Sequence, residues 1–168
     1  MSDAVHKAAL DLLSRREHSR RELARKLRRR GHARADIDEV LARLEAVGLV
    51  SDERYARLFV RDRLTVNPQG SRRLLTGLRT KGIVDSIAEL AVLNGFEERG
   101  LGEPELAREV AVRRLPRLRG LDAVAARRRL SGYLARRGFA ASTVASVVRE
   151  LIDAGRPGSE ASALPADG

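Results

Sequence analysis

Leu23-Ala24-Arg25-Lys26-Leu27-Arg28-Arg29-Arg30-Gly31 is the stretch on which the fold turns. Leu23 and Leu27 are four residues apart, so a helix stacks them on one face. Gly31 falls just past the last turn, where it can take the left-handed conformation that closes a helix. The same Leu-x3-Leu-x3-Gly pattern returns at Leu74, Leu78 and Gly82, and again at Leu130, Leu134 and Gly138. One register kept three times in one chain marks an internal repeat.

Reading outward, each glycine is followed by a second amphipathic stretch and each Leu-x3-Leu helix is preceded by another. The following stretches place Ile37, Val40, Leu41 and Leu44 on one face in copy one, and Val144, Val147, Val148 and Leu151 in copy three. In the middle copy the best stripe is Ile87, Leu90, Ala91 and Asn94, which requires a turn one residue shorter. The preceding stretches carry Ala8, Ala9, Leu12 and Leu13, then Tyr55, Ala56, Phe59 and Val60, then Leu106, Ala107, Val110 and Ala111. The period is 3.6 throughout, with no sustained alternation of the kind a strand needs. The expected fold is all-α, three tandem three-helix repeats at residues 4–49, 50–94 and 104–155.

Local signals agree. Ser19-Arg20-Arg21-Glu22 has the form of a capping box, and Ser51-Asp52-Glu53 places acids where a helix N-terminus favours them. Pro104 suits the first turn of a helix, and Pro116 should stop or kink one. Gly48 and Gly155 are expected to close the third helices of copies one and three. Gly95, Gly100 and Gly102 suggest a flexible junction over 95–103, and the Gly/Pro/Ser/Ala-rich stretch 156–168 a disordered tail.

The chain of 168 residues carries 33 Lys and Arg against 23 Asp and Glu, a formal charge of +10. Such an excess suits a polyanionic partner. Its distribution is more telling. Residues 19–30 hold seven basic residues and one acid; residues 70–81 hold four basic and residues 126–137 five, with no acid in either. The basic charge therefore sits on the Leu-x3-Leu helix of every copy, while the helix after the first is acidic through Asp36, Asp38, Glu39 and Glu45. A lone charge run is usually a solvated face; three at one register point to a binding surface. The nominated contacts are Arg20, Arg21, Arg25, Lys26 and Arg28 in copy one, Arg72, Arg73, Arg79 and Lys81 in copy two, and Arg127, Arg128, Arg129, Arg136 and Arg137 in copy three.

Catalytic chemistry is not indicated. There is no cysteine, so disulfide scaffolds and thiolate metal sites are excluded. His6, His18 and His32 lack ligand spacing; surface or capping roles are expected for them, and His18 could dock against the neighbouring turn. No Gly-x4-Gly-Lys-Ser/Thr cradle for phosphates is present. No cofactor, metal or small-molecule substrate is expected. Met1-Ser2-Asp3-Ala4-Val5-His6 has no apolar run or cleavage-like site, and nothing approaches the ~18 apolar residues of a membrane span; a cytoplasmic location is expected. The aromatics are few, and Tyr55 and Phe59 lie on the apolar face of their helix, which favours core packing over base stacking. A helix-turn-helix protein reading duplex DNA is the alternative, opposed by the order of charge, because the helix after the glycine turn is acidic or nearly neutral. A scaffold unconnected with DNA is a third reading.

Four motifs taken in order resemble the RecX family of recombinase regulators: Leu12 to Leu23, Gly48-Leu49-Val50-Ser51-Asp52-Glu53-Arg54-Tyr55-Ala56, Gly70-Ser71-Arg72-Arg73-Leu74 with Lys81-Gly82-Ile83, and Leu134-Ala135-Arg136-Arg137-Gly138-Phe139. The resemblance spans about residues 4–154. It implies an elongated, curved stack that lodges in the groove of a bacterial RecA–single-stranded DNA filament and limits strand exchange and ATP hydrolysis. It supplies no catalytic residues.

Overall fold

The computed structural model describes residues 2–153. Among them are α1 (Ser2–Leu13), α2 (Arg20–Arg29), α3 (Arg34–Ala46), α4 (Asp52–Thr65), α5 (Ser71–Thr80), α6 (Asp85–Arg99), α7 (Glu103–Arg114), α8 (Ala123–Arg136) and α9 (Ala141–Asp153), with a 3-10 turn at Leu115–Leu118. No strand is present among the described residues. The helices pack in threes, α1–α3, α4–α6 and α7–α9, so the fold is all-α in three tandem three-helix units.

The repeat glycines close the basic helices. Gly31, Gly82 and Gly138 have φ of 86, 84 and 84°, a conformation that disfavours any residue with a Cβ. The paired leucines they follow, from Leu23 and Leu27 to Leu130 and Leu134, are wholly buried, each worth roughly 1.5–3 kcal/mol of burial. Ser51 caps α4 by accepting from the amide of Arg54 at 3.1 Å. Ser19 caps α2 by accepting from the amide of Glu22, also at 3.1 Å. The reciprocal half of that capping box is replaced, because the Glu22 carboxylate turns instead to Arg16 at 2.7 Å. Pro116 stands in the 3-10 turn that ends α7.

Two apolar cores result. Copy one has its own, from Val5 and Ala9 to Leu44 and Val50. Copies two and three share a continuous one running from Tyr55 to Val148. The boundary between copies one and two is polar instead, burying His18, Ser19 and Glu22.

Three expectations change. The turn after Gly82 is not shortened: α3, α6 and α9 begin at Arg34, Asp85 and Ala141, each three residues past its glycine. The buried stripe of α6 is consequently Ala88, Ala91 and Val92, standing where Ile37, Val40 and Leu41 stand in α3, and Leu90 is 57% exposed. Small residues suit this helix because it lies hard against α4. A Cβ on Gly95 would come within 2.5 Å of Val60 Cγ1. For the same reason the expected flexible junction at 95–103 is helical up to Arg99, and only Gly100 takes a left-handed turn before α7. Finally, His18 is not on the surface but 1% exposed. The expected tail at 156–168 and the closing role of Gly155 lie outside the described residues.

Candidate nucleic-acid interface

The basic helices meet end to end. The start of α2 lands on the glycine turn that ends α5: Ser19 Oγ donates to the Lys81 carbonyl at 2.7 Å, and Arg21 lies over Gly82, where an added Cβ would sit 2.6 Å from Arg21 Cβ. The start of α5 lands in the same way on the turn that ends α8. Gly70 N donates to Arg137 O at 2.9 Å, Arg72 N to Gly138 O at 3.2 Å, and the Arg73 guanidinium to Arg136 O at 2.6 Å. N-terminal donors thus meet C-terminal carbonyls that no helix satisfies internally, and the helix dipoles run head to tail.

A carboxylate secures each junction from the side. Asp52, first residue of α4, accepts from the Arg20 amide at 2.8 Å. Glu103, first residue of α7, accepts from the Ser71 amide at 2.9 Å, from the Ser71 hydroxyl, and through its other oxygen from the Ala140 amide at 2.8 Å. Each following repeat therefore caps the basic helix of the one before. Burial pushes the Asp52 carboxyl above its ordinary range, against the Arg20 amide that holds it down.

Along this line of helices a groove opens between copies two and three. Its walls carry Arg63, Arg72, Arg73, Lys81 and Arg136, and Phe59 and Gly77 help form it. No carboxylate lines it. Gly77 has no side chain because the Phe59 ring lies where its Cβ would be, 2.6 Å from Phe59 Cζ. The Arg63 guanidinium lies over that ring, 3.5 Å from its centre. A smaller hollow at the first junction gathers Arg20, Arg21, Arg28 and Arg34 with Asp38 and Asp52.

The nominated cations therefore divide. Arg72, Arg73, Lys81 and Arg136 share the groove; Arg20, Arg21 and Arg28 share the hollow. Several are engaged within the chain. Arg20 pairs with Glu45 at 2.9 Å and Arg79 with Asp85 at 2.7 Å. Arg137 donates to Asn67 Oδ1 at 3.0 Å and to Pro68 O at 2.8 Å, and lies over Tyr133. Lys26 Nζ donates to His18 Nε2 at 2.9 Å. Arg25, Arg127, Arg128 and Arg129 are exposed and line neither depression. Arg63 was not nominated. Its signal was available in the sequence, as an arginine four residues after Phe59 on a helix, but α4 reads as a core helix.

The polar boundary between copies one and two is compensated throughout. Glu22 receives Arg16 at 2.7 Å and has Lys81 at 3.8 Å; the Arg16 hydrogen bond holds its carboxyl below the usual range. His18 Nδ1–H donates to Arg16 O at 3.1 Å, the tautomer that leaves Nε2 free to accept from Lys26. Burial lowers the His18 imidazole below its ordinary value, and the Arg16 and Lys26 charges act in the same direction. No cluster of side chains suited to a metal occurs among the described residues, and no helix there is long and apolar enough to cross a membrane.

Three helical units joined head to tail, with arginines concentrated along the joined helices, define a tandem helical-repeat protein. The chain belongs to the RecX family: its three units match the models for the first, second and third RecX three-helix domains at residues 7–44, 51–92 and 103–148. It is 36% identical over 156 residues to the regulatory protein RecX of Prosthecochloris aestuarii, spanning 90% of this chain and 99% of that one. It is 42% identical to that of Halorhodospira halophila, over 85% of each chain. The crystal structure of RecX from Lactobacillus salivarius has the same fold, with a TM-score of 0.77, 24% identity and coverage of 89% of this chain and 96% of that one. A second RecX crystal structure gives a TM-score of 0.76 over 91% of this chain and 71% of that one.

Proposed function

We propose that this chain is a cytoplasmic, non-enzymatic regulator that binds the RecA filament on single-stranded DNA and mainly inhibits its ATP hydrolysis and strand exchange. Family membership supplies the partner. The observation in this chain that supports the reading is the groove between copies two and three, lined by cations and by no carboxylate among the described residues, on basic helices that meet end to end. Phosphates attract guanidinium groups without regard to base sequence, and contacts distributed over several repeats raise avidity without any single strong one. The reading of the chain as a sequence-specific duplex binder is disfavoured by α3, whose Ile37, Val40, Leu41 and Leu44 are buried and whose other positions carry Asp36, Asp38, Glu39 and Glu45 against Arg34 and Arg43. The test is a pull-down against the host recombinase, with and without single-stranded DNA and nucleotide. Retention is expected with the assembled filament; none above background in any condition would overturn the proposal.

A further inference from the structure

The groove contains more than charge. Arg63 lies over Phe59 with its guanidinium carbon 3.5 Å from the ring centre, a van der Waals separation and a cation–π contact. Phe59 is 7% exposed, so most of its ring is covered, and Arg63 lines the groove beside it. Among the described residues no carboxylate lies within ion-pair distance of Arg63, and its one further hydrogen bond is a long one, 3.4 Å, to its own helix at Phe59 O. A guanidinium seated on an aromatic ring, with no carboxylate beside it among the described residues, has the form of a stacking platform. Nucleobases stack on arginine planes in this way when they are unpaired and splayed from a strand.

Arg72 and Arg136 have no carboxylate partner among the described residues, and Lys81 has only Glu22, at 3.8 Å. Arg72, Arg136 and Lys81 line the same groove as Arg63. We infer that Arg63 is a base-stacking residue, seated on Phe59, that receives an unpaired nucleobase from a single strand whose phosphates lie against Arg72, Lys81 and Arg136. This rests on the proposed function, because it requires the groove to face single-stranded DNA. It adds what charge cannot supply, a preference for unpaired bases over duplex, since a paired base keeps both faces inside its own stack.

Arg63→Lys tests this, because it retains the charge and the aliphatic stem and removes the plane. The probes are a fifteen-nucleotide oligothymidylate, an abasic oligomer of equal length, and the thymidylate strand with 2-aminopurine replacing one base. The wild-type chain is expected to bind oligothymidylate more tightly than the abasic strand and to brighten 2-aminopurine as that base leaves its neighbours. Arg63→Lys is expected to lose about tenfold on oligothymidylate, the size of one lost stack, less than twofold on the abasic strand, and the brightening. The loss should be similar at low and high salt, because no phosphate contact has been removed. Wild-type binding that does not distinguish the two strands, or an equal loss on both in the variant, overturns the inference and leaves the regulatory reading intact. No binding of either strand by the wild-type chain overturns the inference together with the DNA half of that reading.

Discussion

Replacing Gly138 and Gly31 with alanine, one at a time, separates the two tasks of the repeat glycine. Both close a basic helix with nearly the same backbone, φ of 84 and 86°, so both substitutions incur the left-handed penalty of about 1–2 kcal/mol. At Gly31 that is all. Among the described residues nothing lies within 4 Å of the added Cβ, and no basic helix is seated on that turn. At Gly138 the Cβ would fall 2.5 Å from the backbone nitrogen of Arg73, which cannot give way while α5 remains seated. Unseating it disrupts the bonds from Gly70 N, Arg72 N and the Arg73 guanidinium, each worth about 1 kcal/mol net. The expected losses are therefore about 1–2 kcal/mol for Gly31→Ala and about 4–5 kcal/mol for Gly138→Ala. Urea unfolding followed by the helical circular-dichroism signal measures both, at a common slope. Equal losses would refute the head-to-tail junction as a source of stability.

Two further predictions concern charge. Replacing Arg72, Lys81 and Arg136 with glutamine should flatten the slope of log affinity against log salt on single-stranded DNA by about 2, at ~0.7 per phosphate contact. Arg79→Gln should change it by less than one, because Asp85 already holds that guanidinium; a larger effect from Arg79 would move the interface. His18 binds its proton more weakly folded than unfolded, so its contribution to stability is complete above the ordinary imidazole value of 6.5 and is lost as pH falls through the lower folded value. Stability should decline as pH falls from 6.5 to that lower folded value, and His18→Gln should remove that part of the decline. An identical pH profile in the variant would contradict the buried neutral tautomer.

Helical period, glycine register and basic helices were legible because each is local. Leu23, Leu27 and Gly31 state their roles within nine residues, and the same signal sounds twice more. The middle copy shows where local reading stops. Ile87 and Leu90 make a better apolar stripe than Ala88 and Ala91, yet α6 buries the small residues because α4 leaves no room for large ones. Gly95 alone resembles a breaker, whereas against Val60 it is the residue that lets two helices touch. The site was legible as charge and not as geometry. Sequence counts arginines; it does not say that Arg20, Arg79 and Arg137 find partners within the chain while Arg72 and Arg136 meet no carboxylate among the described residues. Nor does it say that Phe59 would lie under Arg63. The polar boundary around His18 and Glu22 was illegible for the same reason, since its partners Lys26, Arg16 and Lys81 come from three parts of the chain.

The central claim is regulation of an assembled recombinase, and the most direct measurement is the ATP hydrolysis rate of RecA already bound to single-stranded DNA as this chain is added. The account predicts a falling rate, with strand exchange falling alongside, at fewer than one copy per recombinase protomer, because three joined repeats offer contacts to more than one protomer. The chain alone should hydrolyse no ATP. Unchanged hydrolysis and strand exchange at several-fold excess of this chain would contradict the account.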